Sequence, residues 1–276
     1  MLLCPVRNCR LPLKQDGRRM VCDHGHSFDV ARSGYINLLQ PQDRRSSQPG
    51  DTPEAVAARR RLHDRGVTEP LLNAIARIVA PSSNTVAPSS NAVAPSSNEA
   101  VLDAGCGDGF YLGSLARQTG LSAHGVDISV PAIEAASRRY PDCQWIVANA
   151  DRFVPYADRS FSLVMSITAR MNASEFRRVL EDDGRLLIAL PAPDDLIELR
   201  GSGHDRTARA IQTFAPHFTL VDQRRVTTVA DLDRVAVNDV LHSIYRPMQR
   251  HPVEATRVTL SLDLLLFRPV QPDPAP

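Results

Sequence analysis

The chain alternates short apolar runs with longer segments in which apolar residues recur every three or four positions. The runs have the length of buried strands, and several end in an acid, an amide or a glycine-rich turn. Strands that alternate with amphipathic helices predict an α/β fold with a mostly parallel sheet. The predicted strands cover residues 36–39, 101–103, 124–127, 145–150, 161–165, 184–190, 218–221 and 257–266, and the predicted helices cover 54–65, 71–79 and 206–215.

One strand-to-helix turn carries the pattern D-x-G-x-G-x-G, formed by Asp103, Gly105, Gly107 and Gly109. Glycines remove Cβ atoms where the chain turns, so a ligand can lie against bare backbone, and the following helix offers free N–H groups. The spacing differs from the G-x-G-x-x-G of dinucleotide-binding folds. It resembles motif I of class I S-adenosylmethionine-dependent methyltransferases, and Asp108 completes the predicted cofactor loop.

Two further polar residues follow predicted strands and extend this site. Asp127 ends the second strand, where an acid can accept hydrogen bonds from both ribose hydroxyls of an adenosine ligand. Asn149 follows the third strand, at a position where methyltransferases of this class contact the adenine. Together with the loop they predict a site for S-adenosylmethionine.

A cysteine and histidine cluster near the N-terminus has the spacing C-x4-C-x12-C-x3-H, formed by Cys4, Cys9, Cys22 and His26. Two close pairs separated by a dozen residues suit a tetrahedral Zn²⁺ site built from two knuckles. All four positions would be filled by protein, so the predicted zinc is structural. His24 is the alternative fourth ligand, and scattered structural cysteines are the alternative to a metal site.

The composition adds a modest asymmetry to this picture. The formal net charge is only +1, but residues 1–80 carry 13 basic and 8 acidic side chains. Lys14 is the single lysine, and arginine suits phosphate and base recognition, although a GC-rich genome gives the same bias. The sequence shows no apolar run of membrane-spanning length and no signal-peptide pattern, which predicts a cytoplasmic protein without a membrane partner.

The motifs divide the chain into four predicted segments. They are a zinc-binding, RNA-docking module over residues 1–40, a helical connector over 41–78, a linker over 79–99 and a methyltransferase domain over 100–270. The linker repeats a seven-residue Val-Ala-Pro-Ser-Ser-Asn-x unit whose proline excludes a coiled coil.

Several motifs together resemble bacterial 23S rRNA (guanine-N1)-methyltransferases, mainly over residues 1–200. The resemblance implies a class I, Rossmann-like fold with a seven-stranded, mostly parallel sheet and an antiparallel last strand. It also implies methyl transfer from S-adenosylmethionine to guanine N1 in a 23S rRNA hairpin loop, and it suggests a homodimer. The motifs are the Cys/His cluster, Phe28-Asp29-Val30-Ala31, Gly-Tyr-Ile-Asn-Leu-Leu at 34–39, Gly50-Asp51, Ala58-Arg59, the glycine loop and residues 125–129.

The chain departs from that family at several positions, of which residues 168–170 lie where a target base would enter. Thr68 stands in place of an aromatic residue, Thr168-Ala169-Arg170 in place of an aromatic-Ala-Pro sequence, and Asp195 in place of a histidine that contacts the cofactor. Two alternatives therefore stay open: a methyltransferase for another RNA or a small molecule, and a non-catalytic relative that binds cofactor or RNA. Candidates for stacking on a target base are Tyr35, Tyr111 and Tyr156.

Overall fold

The structure is a computed structural model that describes residues 1–7, 9–44, 46, 48–79, 99–169, 171–244 and 255–270. Nearly all of the predicted linker, residues 80–98, lies outside the described residues. Strands in the described part are β1 (Lys14–Asp16), β2 (Arg19–Val21), β3 (Ser27–Asp29), β4 (Ile36–Asn37), β5 (Ala100–Ala104), β6 (Ser122–Asp127), β7 (Gln144–Val147), β8 (Phe161–Ile167), β9 (Leu180–Pro191), β10 (Phe218–Leu232) and β11 (Thr256–Pro269). Helices are α1 (Pro53–Asp64), α2 (Glu69–Val79), α3 (Phe110–Thr119), α4 (Val130–Arg139), α5 (Ala173–Val179), α6 (Ile197–Arg200), α7 (Thr207–Phe214) and α8 (Arg234–Ser243), with a 3₁₀ turn at Pro41–Asp43.

The main sheet has the strand order β10-β11-β9-β8-β5-β6-β7-β4. Strands β9, β8, β5, β6 and β7 are parallel, whereas β11 runs antiparallel to β9 and β10 runs antiparallel to β11. The seven strands from β5 to β11 confirm the predicted mostly parallel methyltransferase sheet with its antiparallel end. The structure adds an eighth strand, because β4 pairs in parallel with β7.

Alternating side chains of the central strands enter two separate cores, one on each face of the sheet. In β5, Val101 packs with α2, α3 and α4, while Leu102 faces the core that contains Phe176 and Phe214. Burial on both faces explains why these strands are continuous apolar runs in the sequence.

Within residues 1–40, strands β1, β2 and β3 form a small antiparallel sheet. Backbone hydrogen bonds attach this segment to the main domain. The Leu3 amide donates to the Pro155 carbonyl at 3.0 Å, and the Ala157 amide donates to the Met1 carbonyl at 3.0 Å. Since β4 also lies in the main sheet, this module and the methyltransferase domain share one core. The boundary predicted at residue 40 stays a prediction.

Candidate active site and metal centre

A cavity of about 1020 Å³ opens at the carboxyl ends of the parallel strands. Its wall includes residues that follow β5, β6, β7, β8 and β9, and the loop and helix that precede β5 cover one side. The chain order of the strands reverses between β5 and β8, which is where open α/β sheets bind their ligands. All seven residues predicted to hold the cofactor lie in or beside this cavity.

The glycine loop between β5 and α3 is packed too closely to accept side chains. Gly105, Gly107 and Gly109 all have positive φ angles, of 87°, 55° and 74°. A Cβ on Gly105 would overlap the side chain of Ala169, and one on Gly109 would overlap the Trp145 ring. The loop therefore presents bare backbone to the cavity, and Gly109 is the residue that precedes the first turn of α3.

Asp127 is fixed at the end of β6 by two backbone amides. Its Oδ2 accepts from the Gly107 amide at 2.9 Å and its Oδ1 accepts from the Ser129 amide at 2.8 Å. A carboxylate has about four acceptor sites, so each oxygen keeps capacity for a ligand hydroxyl. Burial raises the pKa of Asp127, while the two amides act in the opposite direction.

Two more carboxyl groups, those of Asp103 and Asp108, are almost completely buried beside the loop. Within the described residues, Asp103 Oδ1 and Asp108 Oδ2 are buried oxygens without a hydrogen-bond partner. Burial, with a contribution from the Asp127 charge, raises the pKa of Asp103 to about 8. Burial also raises the pKa of Asp108, against the opposing effect of Arg59 and Arg139. The cavity thus holds two buried acids, each with one oxygen that receives no hydrogen bond from the described residues.

One arginine from α1 reaches the same loop. Arg59 donates from Nη1 to Asp51 Oδ2 at 2.6 Å and from Nη2 to the Ser243 carbonyl at 3.0 Å. A Cβ on Gly107 would lie 3.1 Å from Arg59 Nη1, so the guanidinium stands directly over the loop. This arginine was not among the predicted site residues.

A histidine from the next turn of α1 completes that wall. The His63 ring stacks on Phe110 with centroids 3.9 Å apart, and its Nδ1 lies 2.7 Å from the Thr68 hydroxyl. Its Nε2 is 3.7 Å from Asp108 Oδ1. Burial and the nearby Arg59 and Arg139 lower the pKa of His63 to about 3, so the ring is neutral.

Asn149 lies in the cavity wall but already has internal partners. Its Nδ2 donates to the Asp43 carbonyl at 3.0 Å, and its Oδ1 accepts from the Asp151 amide at 3.1 Å. These bonds hold the 3₁₀ turn at Pro41–Asp43 against the end of β7. The predicted adenine contact of Asn149 stays a prediction.

The predicted stacking tyrosines differ in position. Tyr111 lines the cavity. Tyr156 is buried in the core on the other face of the sheet, against His124 and Phe161, and cannot reach a base in the cavity. Tyr35 packs against the core that contains α2, α3 and α4 and is not part of the cavity wall.

The Cys4, Cys9, Cys22 and His26 side chains converge, with their candidate ligand atoms within 4.8 Å of one another. Cys9 Sγ and Cys22 Sγ are 3.8 Å apart, and His26 Nδ1 is 3.4 Å from both Cys4 Sγ and Cys22 Sγ. Tetrahedral Zn²⁺ with Zn–S bonds of about 2.3 Å places its sulfurs roughly 3.8 Å apart, so the cluster fits zinc. His24 Nδ1 is 3.4 Å from Cys9 Sγ but does not join the convergent set.

Comparison with known proteins agrees with both sites. A family model described as "Methyltransferase domain" matches residues 101–187, and one described as "RlmA, N-terminal", a zinc ribbon, matches residues 2–47. The 23S rRNA (guanine(748)-N(1))-methyltransferase of Streptomyces fradiae is 33% identical over 98% of this chain and 97% of its own. The chain belongs to the 23S rRNA (guanine-N1)-methyltransferase family.

Other similarities agree with the membership in this family. A Bacillus subtilis protein named for the same activity is 32% identical over 87% of this chain and 84% of its own. Among solved structures, a chain of the complex between the Haloferax volcanii Trm112 methyltransferase activator and a methyltransferase matches 79% of this chain and 98% of that chain. Its TM-score is 0.51 at 18% identity, which supports the class I fold alone.

The cavity fits the cofactor of this family, S-adenosylmethionine. That ligand carries a sulfonium, an ammonium, a carboxylate, a ribose diol and an adenine. The partnerless oxygens of Asp103 and Asp108 suit its positive groups, and Arg59 suits its carboxylate. The zinc centre, whose four positions are filled by protein, is structural.

Proposed function

We propose that this protein transfers a methyl group from S-adenosylmethionine to N1 of a guanine in a 23S rRNA hairpin loop. The near full-length similarity to the Streptomyces fradiae enzyme carries the proposal. The cavity supports it, because its wall combines buried acids, a glycine loop and an arginine, which suit the charged groups of the cofactor. The Streptomyces fradiae relative is named for a 23S rRNA substrate, so we place the protein in the cytoplasm.

Each predicted cofactor residue receives a role in this proposal. Asp127 accepts from the ribose hydroxyls, and the glycine loop with the first turn of α3 lies against the methionine part. Asp103 and Asp108 hold the ammonium and sulfonium side, Arg59 binds the carboxylate, and Asn149 forms the wall beside the adenine. The bound cofactor supplies an already activated methyl group, so the protein's main task is alignment.

The zinc module is proposed to dock the RNA. It contributes part of the basic excess of the first 80 residues and is fixed to the catalytic domain through β4 and residues 155–157. The suggested homodimer stays a prediction.

The test uses labelled S-adenosylmethionine and 23S rRNA from a strain that lacks this modification, followed by mapping of the label. Label on guanine N1 is the expected result. Label on another RNA atom, or on a small molecule, overturns the RNA guanine assignment, and binding without transfer identifies a non-catalytic relative. An Asp127→Ala protein that folds should lose cofactor binding by roughly tenfold or more, about 1.4 kcal/mol. Unchanged binding would refute the assignment of the ribose site.

A further inference from the structure

The cavity extends past the cofactor side into a second region that the cofactor residues do not fill. Thr168 and Ala169, which follow β8, line the cavity beside the cofactor loop, and Ala169 packs directly on Gly105. Thr168 has a φ of 52°, an uncommon conformation for a β-branched residue that concentrates at functional sites. The second region is lined by the turn that follows β9, helix α6 and the inner faces of β10 and β11.

This second region has flat apolar walls and one buried acid. Val226, Leu260 and Leu262 from β10 and β11 line it, which suits the face of a planar base. Asp195, in the turn after β9, also lines it, and the side chain is only 8% exposed. The Asp195 carboxyl group is therefore the buried acceptor that a base in this region would meet.

Asp195 is held firmly from two sides. Its Oδ1 accepts from the Ser261 amide of β11 at 3.1 Å, and its Oδ2 lies 3.3 Å from Arg200 Nη1 at the end of α6. Arg206, which precedes α7, lines the same region. The result is a fixed acceptor beside two cationic donors.

This pairing can serve the Watson–Crick edge of guanine, the base of the proposed function. That edge offers two adjacent donors, at N1 and the 2-amino group, beside the acceptor O6. A carboxylate can accept from both donors while an arginine donates to O6, whereas adenine offers a carboxylate one donor on this edge, its 6-amino group. The purine face would lie on the apolar wall, as bases in single-stranded loops do on protein surfaces.

We propose that Asp195 reads the target guanine and accepts its N1 proton, with Arg200 donating to O6. The inference rests on the proposed function and adds its catalytic base. In the step, the N1–H bond breaks and the proton goes to an Asp195 oxygen. N1 uses the released electron pair to bind the methyl carbon, and the sulfur that loses this carbon keeps the pair of the broken S–C bond.

The electrostatics of the turn are compatible with that role. Burial raises the pKa of Asp195, and the neighbouring Asp194 acts in the same direction. The Ser261 amide, Arg200 and Arg206 oppose this rise. A carboxylate whose pKa is raised is a better proton acceptor than an ordinary one.

The experiment compares Asp195→Asn with Asp194→Asn. Asparagine keeps an oxygen for the Ser261 amide but loses the charge and the proton-accepting oxygen. With 23S rRNA, Asp195→Asn should reduce kcat at least 100-fold, the order expected for loss of a general base. The acid limb of the wild-type pH profile, where the rate rises as Asp195 ionises, should disappear. Asp194→Asn changes the adjacent acid, which is not part of the cavity wall. It should keep kcat within threefold of wild type, with the acid limb moved to lower pH because the Asp194 charge raises the pKa of Asp195.

Binding measurements separate catalysis from folding. Asp195→Asn should keep the melting temperature and the affinity for S-adenosylmethionine but lose affinity for a target hairpin, measured with S-adenosylhomocysteine present. Inosine at the mapped target, which lacks the 2-amino group, should weaken binding to wild type and change little with the variant. If Asp195→Asn folds poorly, Arg200→Gln is the second variant. It removes a charge that lowers the Asp195 pKa, so the acid limb should move to higher pH.

The outcomes keep the two proposals apart. If wild type places no methyl group on guanine N1, the proposed function fails and this inference fails with it. If wild type does so and Asp195→Asn matches its rate, pH profile and preference for guanine over inosine, only the inference is overturned. An Arg200→Gln profile that does not move also contradicts it.

Discussion

The state of the Asp103 carboxyl group should change when the cofactor binds. Its pKa of about 8 makes it largely protonated at pH 7 in the free protein. A cationic ligand beside it favours the charged form, so binding should release a proton. Affinity for S-adenosylmethionine should therefore rise roughly tenfold or more from pH 6 to pH 8 and level off above pH 8.

Calorimetry in buffers of different ionisation enthalpy measures that proton directly. Wild type should release a substantial fraction of one proton per cofactor at pH 7. Asp103→Asn cannot ionise and should bind more weakly, with the proton release gone. Equal proton release in both proteins would assign the linkage to another group.

The pair formed by His63 and Thr68 offers a stability prediction. Thr68→Val removes the hydroxyl 2.7 Å from His63 Nδ1 and leaves a buried ring nitrogen without its partner. The free energy of unfolding should fall by about 1–3 kcal/mol. Denaturant titration of the single variants and of the His63→Phe/Thr68→Val double variant checks this.

Phenylalanine at residue 63 keeps the stack on Phe110, so the double variant replaces both polar partners by apolar groups. It should recover part of the loss, because no ring nitrogen is left without a partner, whereas the buried Tyr111 hydroxyl still lacks its hydrogen bond with Thr68. Additive losses in the double variant would mean that the two side chains do not interact.

At this scale the sequence predicted the residues whose motif implies a ligand. Asp103, the three glycines and Asp127 follow strands at recognisable spacing, so their positions could be predicted. His63 lies in no motif. Arg59 belongs to a motif of the family resemblance but received no role, because a charged helix face exposed to solvent explains the arginines of α1 equally well. The available signal was the four-residue spacing of Arg59 and His63, which places both on one face of the helix.

Helix α1 packs against α8, and Arg59 is the α1 residue that contacts both α8 and the cofactor loop. Its guanidinium donates hydrogen bonds to Asp51 and to the Ser243 carbonyl, and so links the two residues. Lysine keeps the charge but lacks the planar fork that serves two acceptors in fixed directions. Arg59→Lys should weaken binding of S-adenosylmethionine by roughly tenfold, about 1.4 kcal/mol, with a smaller effect on the melting temperature.

Arg60→Lys is the matched control on the same helix. Arg60 is half-exposed and its only described ion pair, with Asp64, spans 3.9 Å, so lysine should change little. Fluorescence or calorimetric titration of both variants with the cofactor checks the pair. Equal affinities of Arg59→Lys and Arg60→Lys for S-adenosylmethionine would show that Arg59 does not bind the cofactor.

Among the elements, the parallel strands were predicted from their doubly buried apolar runs. The antiparallel strands β10 and β11 were harder to predict from the sequence. β10 extends to Leu232, far beyond the predicted residues 218–221, because its solvent-facing side chains interrupt any apolar run. Helix α8 was missed as well, since it is short and its burial depends on α1, including the pair between Arg61 and the buried Asp239. Such contacts are set by tertiary structure and leave little local pattern.

The whole molecule unites a zinc module and a catalytic domain through shared packing. Leu2, Cys4, Leu13 and Cys22 belong to the same core as Leu102 and Ile146 of the main sheet. The sequence predicted the module's ligands but could not predict this union. A two-residue strand such as β4 acquires its place only when β7 is already in position.

This union predicts a separable effect of zinc. The three short strands β1–β3 bury little apolar surface, so the module depends on the four metal ligands for its stability. Removal of zinc by a chelator should therefore lower the melting temperature and expose residues 1–30 to protease. The glycine loop lies on the main sheet, away from the ligands, so affinity for S-adenosylmethionine should change less than threefold. Methylation of 23S rRNA should fall at least tenfold, mainly through weaker RNA binding.

Cysteine variants test the same separation without a chelator. Cys9→Ser should lose bound zinc, measured by metal analysis, and reproduce the chelated behaviour, whereas Cys143→Ser, outside the cluster, should keep zinc and activity. If Cys9→Ser binds RNA normally while zinc is absent, the module has no docking role and serves stability alone. If cofactor binding is lost along with zinc, the shared core transmits the damage to the loop and the two sites form one cooperative unit.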